Sequence, residues 1–125
     1  MSNFGIYSNR FQGDYKRVLT VCSANMLRSP TIAHVLSADP YNFNTRSAGT
    51  AGFALIPVTE ELLVWADEIV CAEEHHANVV MDAINHHYDL EDARPLVYVL
   101  GIQDDYDYMD DELQQLIRAK FDEWG

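Results

Sequence analysis

Val18-Leu19-Thr20-Val21-Cys22-Ser23-Ala24-Asn25-Met26-Leu27-Arg28-Ser29-Pro30 is a short apolar, β-branched run that ends at a cysteine, followed by a five-residue loop, an arginine and a Ser-Pro pair. The order suits nucleophilic attack on a phosphate. A strand delivers the Cys22 thiol to the mouth of a loop, Ser23, Ala24, Asn25, Met26 and Leu27, whose backbone N–H groups can converge on an anion. A helix beginning near Ser29 adds the positive end of its dipole. Arg28 supplies a planar fork that matches two phosphate oxygens, which a lysine cannot do. The same field favours a thiolate, the form of cysteine that attacks. Asn25 suits a tight loop because asparagine tolerates left-handed backbone better than most residues.

Outward from this stretch the pattern alternates strand and helix. Strands are expected at 17–21, 42–47, 65–71 and 96–100. Helices are expected at 29–38, from Thr59 to Val64, at 73–87 and from Asp110 onward. Asp39-Pro40 closes the first helix, because the residue before proline avoids the helical region. The third helix should present Ala77, Val80, Met81 and Ile84 inward, and the last Leu113, Leu116, Ile117 and Phe121. Strand–helix alternation implies right-handed crossovers. The expected class is α/β: a three-layer sandwich with a central four-stranded parallel sheet and helices on both faces. Ligands of such sheets bind outside the carboxyl ends of the strands, where Cys22 would sit. Residues 1–16 lack a clear period and read as an irregular lead-in to a single domain over 17–125.

Composition narrows the function. A chain of 125 residues holds one core. A net charge of −12 disfavours nucleic acid, whose phosphates are bound by basic surfaces. It also means that an anionic substrate must be held by local positive potential: Arg28, the loop amides and the helix dipole, with Lys16 and Arg17 expected nearby. No apolar run reaches the ~18 residues of a membrane span, and no signal peptide is evident. Two cysteines make no disulfide framework, and the proposed chemistry needs one of them as a free thiol; a cytoplasmic location follows as the expectation. The glycine-lysine loop of nucleotide hydrolases is absent. His75-His76 and His86-His87 read as surface residues, since 75 and 86 lie roughly 16 Å apart along one helix and no single ion spans that distance. Neither a metal nor an organic cofactor is expected. Cys71, ending the third strand, reads as core, with a redox partnership to Cys22 as the lesser alternative.

At these residues the chain resembles the low-molecular-weight protein tyrosine phosphatases, whose signature is a strand followed by Cys-x-Gly-Asn-x-Cys-Arg-Ser. The resemblance extends to Ser47-Ala48-Gly49-Thr50, to Ala66-Asp67-Glu68-Ile69-Val70, and to Asp104-Asp105-Tyr106, which is similar to the family's Asp-Pro-Tyr. It implies a cysteine-dependent phosphomonoester hydrolase that works through a phosphocysteine intermediate, with a phosphotyrosine protein or another phosphomonoester as substrate. Cys22 would be the nucleophile, Arg28 the anion clamp and Asp104 the general acid, with Asp105 the alternative. Ser29 would bond the sulfur, Ser47 would hold Asn25, and Tyr106 would line the substrate pocket.

The departures are as informative. Ala24 stands where the family has glycine, and Leu27 where it has a second cysteine able to protect the nucleophile as a disulfide. Asp105 replaces proline, and the segment between Thr50 and Asp67 is short. Two other functions compete: a phosphate- or phosphotyrosine-binding module without efficient turnover, and a thiol-dependent arsenate reductase. The latter needs further cysteines, and this chain offers only Cys71.

Overall fold

The computed structural model describes residues 16–23, 28–38, 40–51, 54, 56–87, 95–103 and 109–123. Among the described residues four strands and four helices alternate: β1 (Arg17–Cys22), α1 (Arg28–Ser37), β2 (Asn44–Gly49), α2 (Glu60–Trp65), β3 (Glu68–Cys71), α3 (Glu74–His87), β4 (Leu96–Val99) and α4 (Asp111–Asp122). The strands form one parallel sheet in the order β2-β1-β3-β4. Because β2 lies on one side of β1 and β3 on the other, the chain reverses direction across the sheet at β1. That reversal opens a crevice at the carboxyl ends of β1 and β3, the place where such sheets take ligands. Cys22 is the last residue of β1.

Strand alternation sorts the core into two layers. On one face Val18 and Cys22 of β1 pack with Ile32, Val35 and Leu36 of α1 and Leu113 and Ile117 of α4. On the other, Leu19 and Val21 pack with Leu63 of α2 and Ala77, Val80 and Ile84 of α3. Each large aliphatic side chain so buried contributes about 1.5–3 kcal/mol. The three-layer α/β sandwich expected from the sequence is the fold observed.

Local chemistry explains the element ends. Thr59 caps α2 by accepting from the Leu62 N–H at 3.3 Å. Asp110 caps α4 by accepting from the N–H groups of Glu112 and Leu113, at 2.8 and 3.4 Å. Three expectations shift. The second strand begins at Asn44 rather than residue 42, because Asn42 takes a left-handed φ of 55° and its N–H returns to Ala38 O. Trp65 completes α2 instead of opening β3. Met81 is exposed, since the inward stripe of α3 runs through Ala77, Val80 and Ile84 and position 81 lies about 100° round from Val80.

Lys16 and Arg17 lie far from Cys22, contrary to expectation. They sit at the opposite end of β1, paired with Glu68 and Asp67, and five strand residues at ~3.3 Å each separate them from the crevice. The bond from the Arg17 guanidinium holds the Asp67 carboxyl below the usual carboxylate range, while Glu68 raises Lys16. These pairs close the amino-terminal edge of the sheet. The lead-in before Lys16 is outside the described residues, and no described helix is long and apolar enough to cross a membrane.

Candidate active site

Cys22 ends β1 with its side chain almost wholly buried beneath the crevice. Backbone bonds fix it from both sides: its carbonyl accepts from the Thr50 N–H at 2.9 Å, and the preceding Val21 carbonyl accepts from the Ala72 N–H at 2.9 Å. The thiol donates to Ser29 Oγ at 3.1 Å. When the thiol ionises the same pair persists with the hydroxyl donating to sulfur, so Ser29 can hold a thiolate without rearrangement. Ser29 is itself fixed, because Thr20 Oγ1 donates to its carbonyl at 2.7 Å. It lies in the first turn of α1, which contains no acidic residue to compete with an anion for the helix's positive end.

Arg28 opens α1 and is 3% exposed. A guanidinium buried that deeply needs partners. Its Nη1 donates to the Glu73 carboxylate and, at 2.9 Å, to the Ile102 carbonyl. The Arg28 bond lowers the Glu73 carboxyl below its ordinary range, against the opposing pull of burial. Both groups stand just beyond strand ends, Glu73 after β3 and Ile102 after β4, so the sheet itself aims the arginine. Gly101 makes the second contact possible: its φ of 74° turns the chain after β4 so that the Ile102 N–H reaches Ala72 O at 2.8 Å.

Between Cys22 and Arg28, the residues Ala24, Asn25, Met26 and Leu27 lie outside the described residues, and Ser23 is seen only at the loop's start. Ser23 O accepts from the Ala51 N–H at 2.9 Å, and its Oγ lies 2.9 Å from His76 Nε2. Ser47, on β2 opposite Thr20, is fully buried. Asp104, Asp105 and Tyr106 also lie outside the described residues, but the two ends of their segment do not. Ile102 is held by Arg28 and Ala72, and the Met109 N–H donates to Thr31 Oγ1 on α1 at 3.0 Å.

His76 corrects the surface reading of the first histidine pair. It is fully buried while its neighbour His75 is exposed, with ring centroids 4.0 Å apart. The side chains of His86 and His87 are outside the described residues. Glu73, His75 and His76 carry donor atoms all within 4.8 Å of one another. Two of these groups are already engaged: Glu73 by Arg28, and His76 by the Glu73 N–H at its Nδ1 and by Ser23 at its Nε2. An ion using all three groups would have to displace one of the two bonds that His76 makes. Glu73 did not stand out in the sequence, and His76 stood out only as one of a histidine pair read as surface. The usable signal was their place immediately after the strand next to β1, where the topological reversal gathers functional groups.

The redox alternative for Cys71 meets a geometric obstacle. Val21, not Cys22, is level with Cys71 in the parallel register, and Cys22 and Cys71 pack into opposite layers. Side chains directed to opposite faces of a sheet cannot be bridged without moving the backbone. Burial pushes the Cys71 thiol up to about 12, which keeps it protonated and inert as a nucleophile near neutrality.

The fold is that of the low-molecular-weight protein tyrosine phosphatases. Wzb of Vibrio vulnificus, solved with benzylphosphonate, superposes with a TM-score of 0.66 at 21% identity, over 88% of this chain and 97% of that one. The tyrosine phosphatase AmsI of Erwinia amylovora gives 0.65 at 22% identity, over 95% of both chains. A YwlE arginine phosphatase, a cysteine-to-serine mutant with its active site serine phosphorylated, gives 0.60 at 21% identity, over 86% and 94%. No family model matches the chain, and no curated protein sequence does.

Proposed function

We propose that the protein is a cysteine-dependent phosphomonoesterase acting on phosphotyrosine in proteins or peptides. The observation that carries the reading is one constellation at the carboxyl ends of the strands: Cys22 bonded to Ser29, beside an Arg28 that Glu73 and Ile102 hold in place. Fold likeness adds that this architecture hosts phosphatases of tyrosine and of arginine.

In this reading the Cys22 thiolate attacks phosphorus as the bond to the leaving oxygen breaks. The two hydrogens of Arg28 Nη1 go to protein acceptors. The planar guanidinium would take phosphate oxygens through parallel N–H bonds, which suit them. The amides of residues 23–28 complete the cradle for the charge that develops on the equatorial oxygens. Asp104 protonates the departing phenolate, then takes a proton from the water that attacks the phosphocysteine, regenerating thiolate and releasing phosphate. Support for Asp104 is the anchoring of both ends of its segment beside Arg28 and on α1. Tyr106 would flank the phenol ring, and Ser47 with Asn25 would hold the loop. No cofactor enters this scheme, and a cytoplasmic phosphoprotein is the substrate it fits.

The test is turnover of p-nitrophenyl phosphate by the wild-type protein and by Cys22→Ser. The wild type should turn over and the variant should not, while the variant still binds vanadate through Arg28 and the loop. Turnover retained in Cys22→Ser would overturn the mechanism. A wild type that binds phosphate without hydrolysing it would establish the binding-module alternative. Phosphoarginine assayed beside a phosphotyrosine peptide decides between the two substrate classes known among proteins of this fold.

A further inference from the structure

We propose that His76 is a positioning residue for the phosphate loop, a neutral imidazole that locks Ser23 and the Glu73–Arg28 pair into one unit. The inference rests on the phosphatase reading of the Cys22 site and adds a residue that the resemblance did not supply.

Helix α3 begins at Glu74, so Glu73 stands at its cap and His76 at its third position. The Glu73 N–H donates to His76 Nδ1 at 3.0 Å. A side chain at the third position reaching back to the cap N–H is half of a capping box, a place usually held by Glu or Gln. Histidine does here what those residues do and one thing more. Since Nδ1 accepts, the ring's proton must be on Nε2, and a neutral imidazole has one donor and one acceptor. Nε2–H therefore donates to Ser23 Oγ at 2.9 Å. The tautomer is dictated by the backbone of α3, and it in turn dictates that Ser23 Oγ is the acceptor.

The consequence is a closed chain of contacts across the crevice. Ser23 follows the nucleophile, Arg28 ends the loop, and Glu73 and His76 hold both of them from the same helix turn. The imidazole is fully buried, so water cannot readily replace either bond. One rigid helix turn thus holds Ser23 and Arg28 at a set separation on either side of the nucleophile's loop. Misplacement of reacting groups by ~1 Å can cost about 10²-fold in rate.

Five proteins and two readouts test this: wild type, His76→Leu, His76→Gln, Ser23→Ala and the His76→Leu/Ser23→Ala double variant, each assayed for steady-state kinetics (kcat and KM) and, by calorimetry, for binding of inorganic phosphate. His76→Leu should lose about 10- to 100-fold in kcat and bind phosphate about tenfold more weakly at temperatures where it is folded. His76→Gln, whose amide offers one acceptor and one donor, should recover most of the loss. Ser23→Ala should resemble His76→Leu, and the double variant should be no worse than the poorer single one, the signature of two residues acting through one bond. A folded His76→Leu with wild-type kcat and phosphate affinity, or additive losses, would overturn the proposal and leave His76 a helix cap. If His76→Leu fails to fold, a wild-type Ser23→Ala overturns it and a Ser23→Ala loss matched by His76→Gln rescue supports it. Should the wild type lack turnover, the phosphatase reading fails, yet the phosphate-affinity cycle still decides the role of His76.

Discussion

Arg28 carries its charge almost without solvent, and what surrounds it explains why no other residue can stand there. One nitrogen donates to both a carboxylate and a carbonyl. Lysine has a single ammonium and cannot serve Glu73, Ile102 and a phosphate in those directions. Arg28→Lys should lose at least about 10²-fold in kcat/KM, and steady-state kinetics at saturating and limiting substrate would show it. The general acid is the second question at this scale. Removing a proton donor typically costs 10²–10⁴-fold, so Asp104→Asn should fall by about that factor on phosphotyrosine. The loss should be smaller on p-nitrophenyl phosphate, whose leaving group needs little help. Asp105→Asn should cost much less. The reverse result would show that Asp105 is the donor. Cys71 gives a third expectation: peroxide should not join it to Cys22, because the two point into opposite layers. With Leu27 where the resembled family has a second cysteine, oxidised Cys22 should proceed to irreversible acids. Dithiothreitol should restore little activity, and a mass-mapped Cys22–Cys71 bridge would refute this.

At the scale of elements, the turn after β4 aims the arginine through backbone alone. Gly101 has a φ of 74°, and a Cβ added there meets nothing within 4 Å. Space is therefore not the constraint; the left-handed backbone is, and for an L-residue it costs roughly 1–2 kcal/mol. Gly101→Ala should lower stability by about that amount in urea titration. It should also reduce kcat more than a surface substitution of equal destabilisation, because Ile102 O moves with the turn. Equal kcat at a lowered midpoint would separate the turn from Arg28. This scale also shows what the sequence made legible. The apolar run 18–21, the Asp39-Pro40 stop and the helix starts at Thr59 and Asp110 are local signals, and each element they mark is present. Cys22, Arg28 and Ser29 were legible for the same reason, being close together in sequence. Glu73, His76 and Ile102 were not: they meet Arg28 and Ser23 only after the sheet assembles, and no spacing within the chain announces it. The placement of Lys16 and Arg17 failed likewise, since a six-residue strand carries its two ends to opposite edges of the molecule.

At the scale of the whole molecule, the titrating groups set where the fold holds. Asp67 and Glu73 have carboxyls lowered by Arg17 and Arg28, so their stabilisation is present above the ordinary carboxylate value and fades as pH falls through the lowered one. Cys71 and Tyr41 are raised to about 12, the first by burial and the second by burial and its 2.6 Å bond to Asp122. Their protonated forms favour the fold, and that advantage is lost as pH rises from about 9 towards 12. Cys71→Val and Tyr41→Phe should each flatten the alkaline limb of a Tm–pH curve and leave the acid limb unchanged. An alkaline limb that neither variant moves would assign it elsewhere.

The net charge of −12 makes a separate demand on the same molecule. The proposed site attracts a phosphate only at short range, through Arg28, the α1 dipole and the loop, while the surface repels anions from a distance. Long-range repulsion is screened by salt, whose Debye length falls from about 30 Å at 0.01 M to about 8 Å at 0.15 M. The buried contacts of Arg28 are screened far less. Peptides sharing one phosphotyrosine but flanked by acidic, neutral or basic residues should therefore diverge at low salt, with the acidic one poorest in kcat/KM. Raising ionic strength over that range should improve the acidic peptide, weaken the basic one, and bring the three together. The effect belongs to encounter, so it should appear in kcat/KM and leave kcat nearly constant. An acidic peptide that instead loses kcat/KM with salt would place a cationic surface around the crevice, beyond what Arg28 and the loop provide.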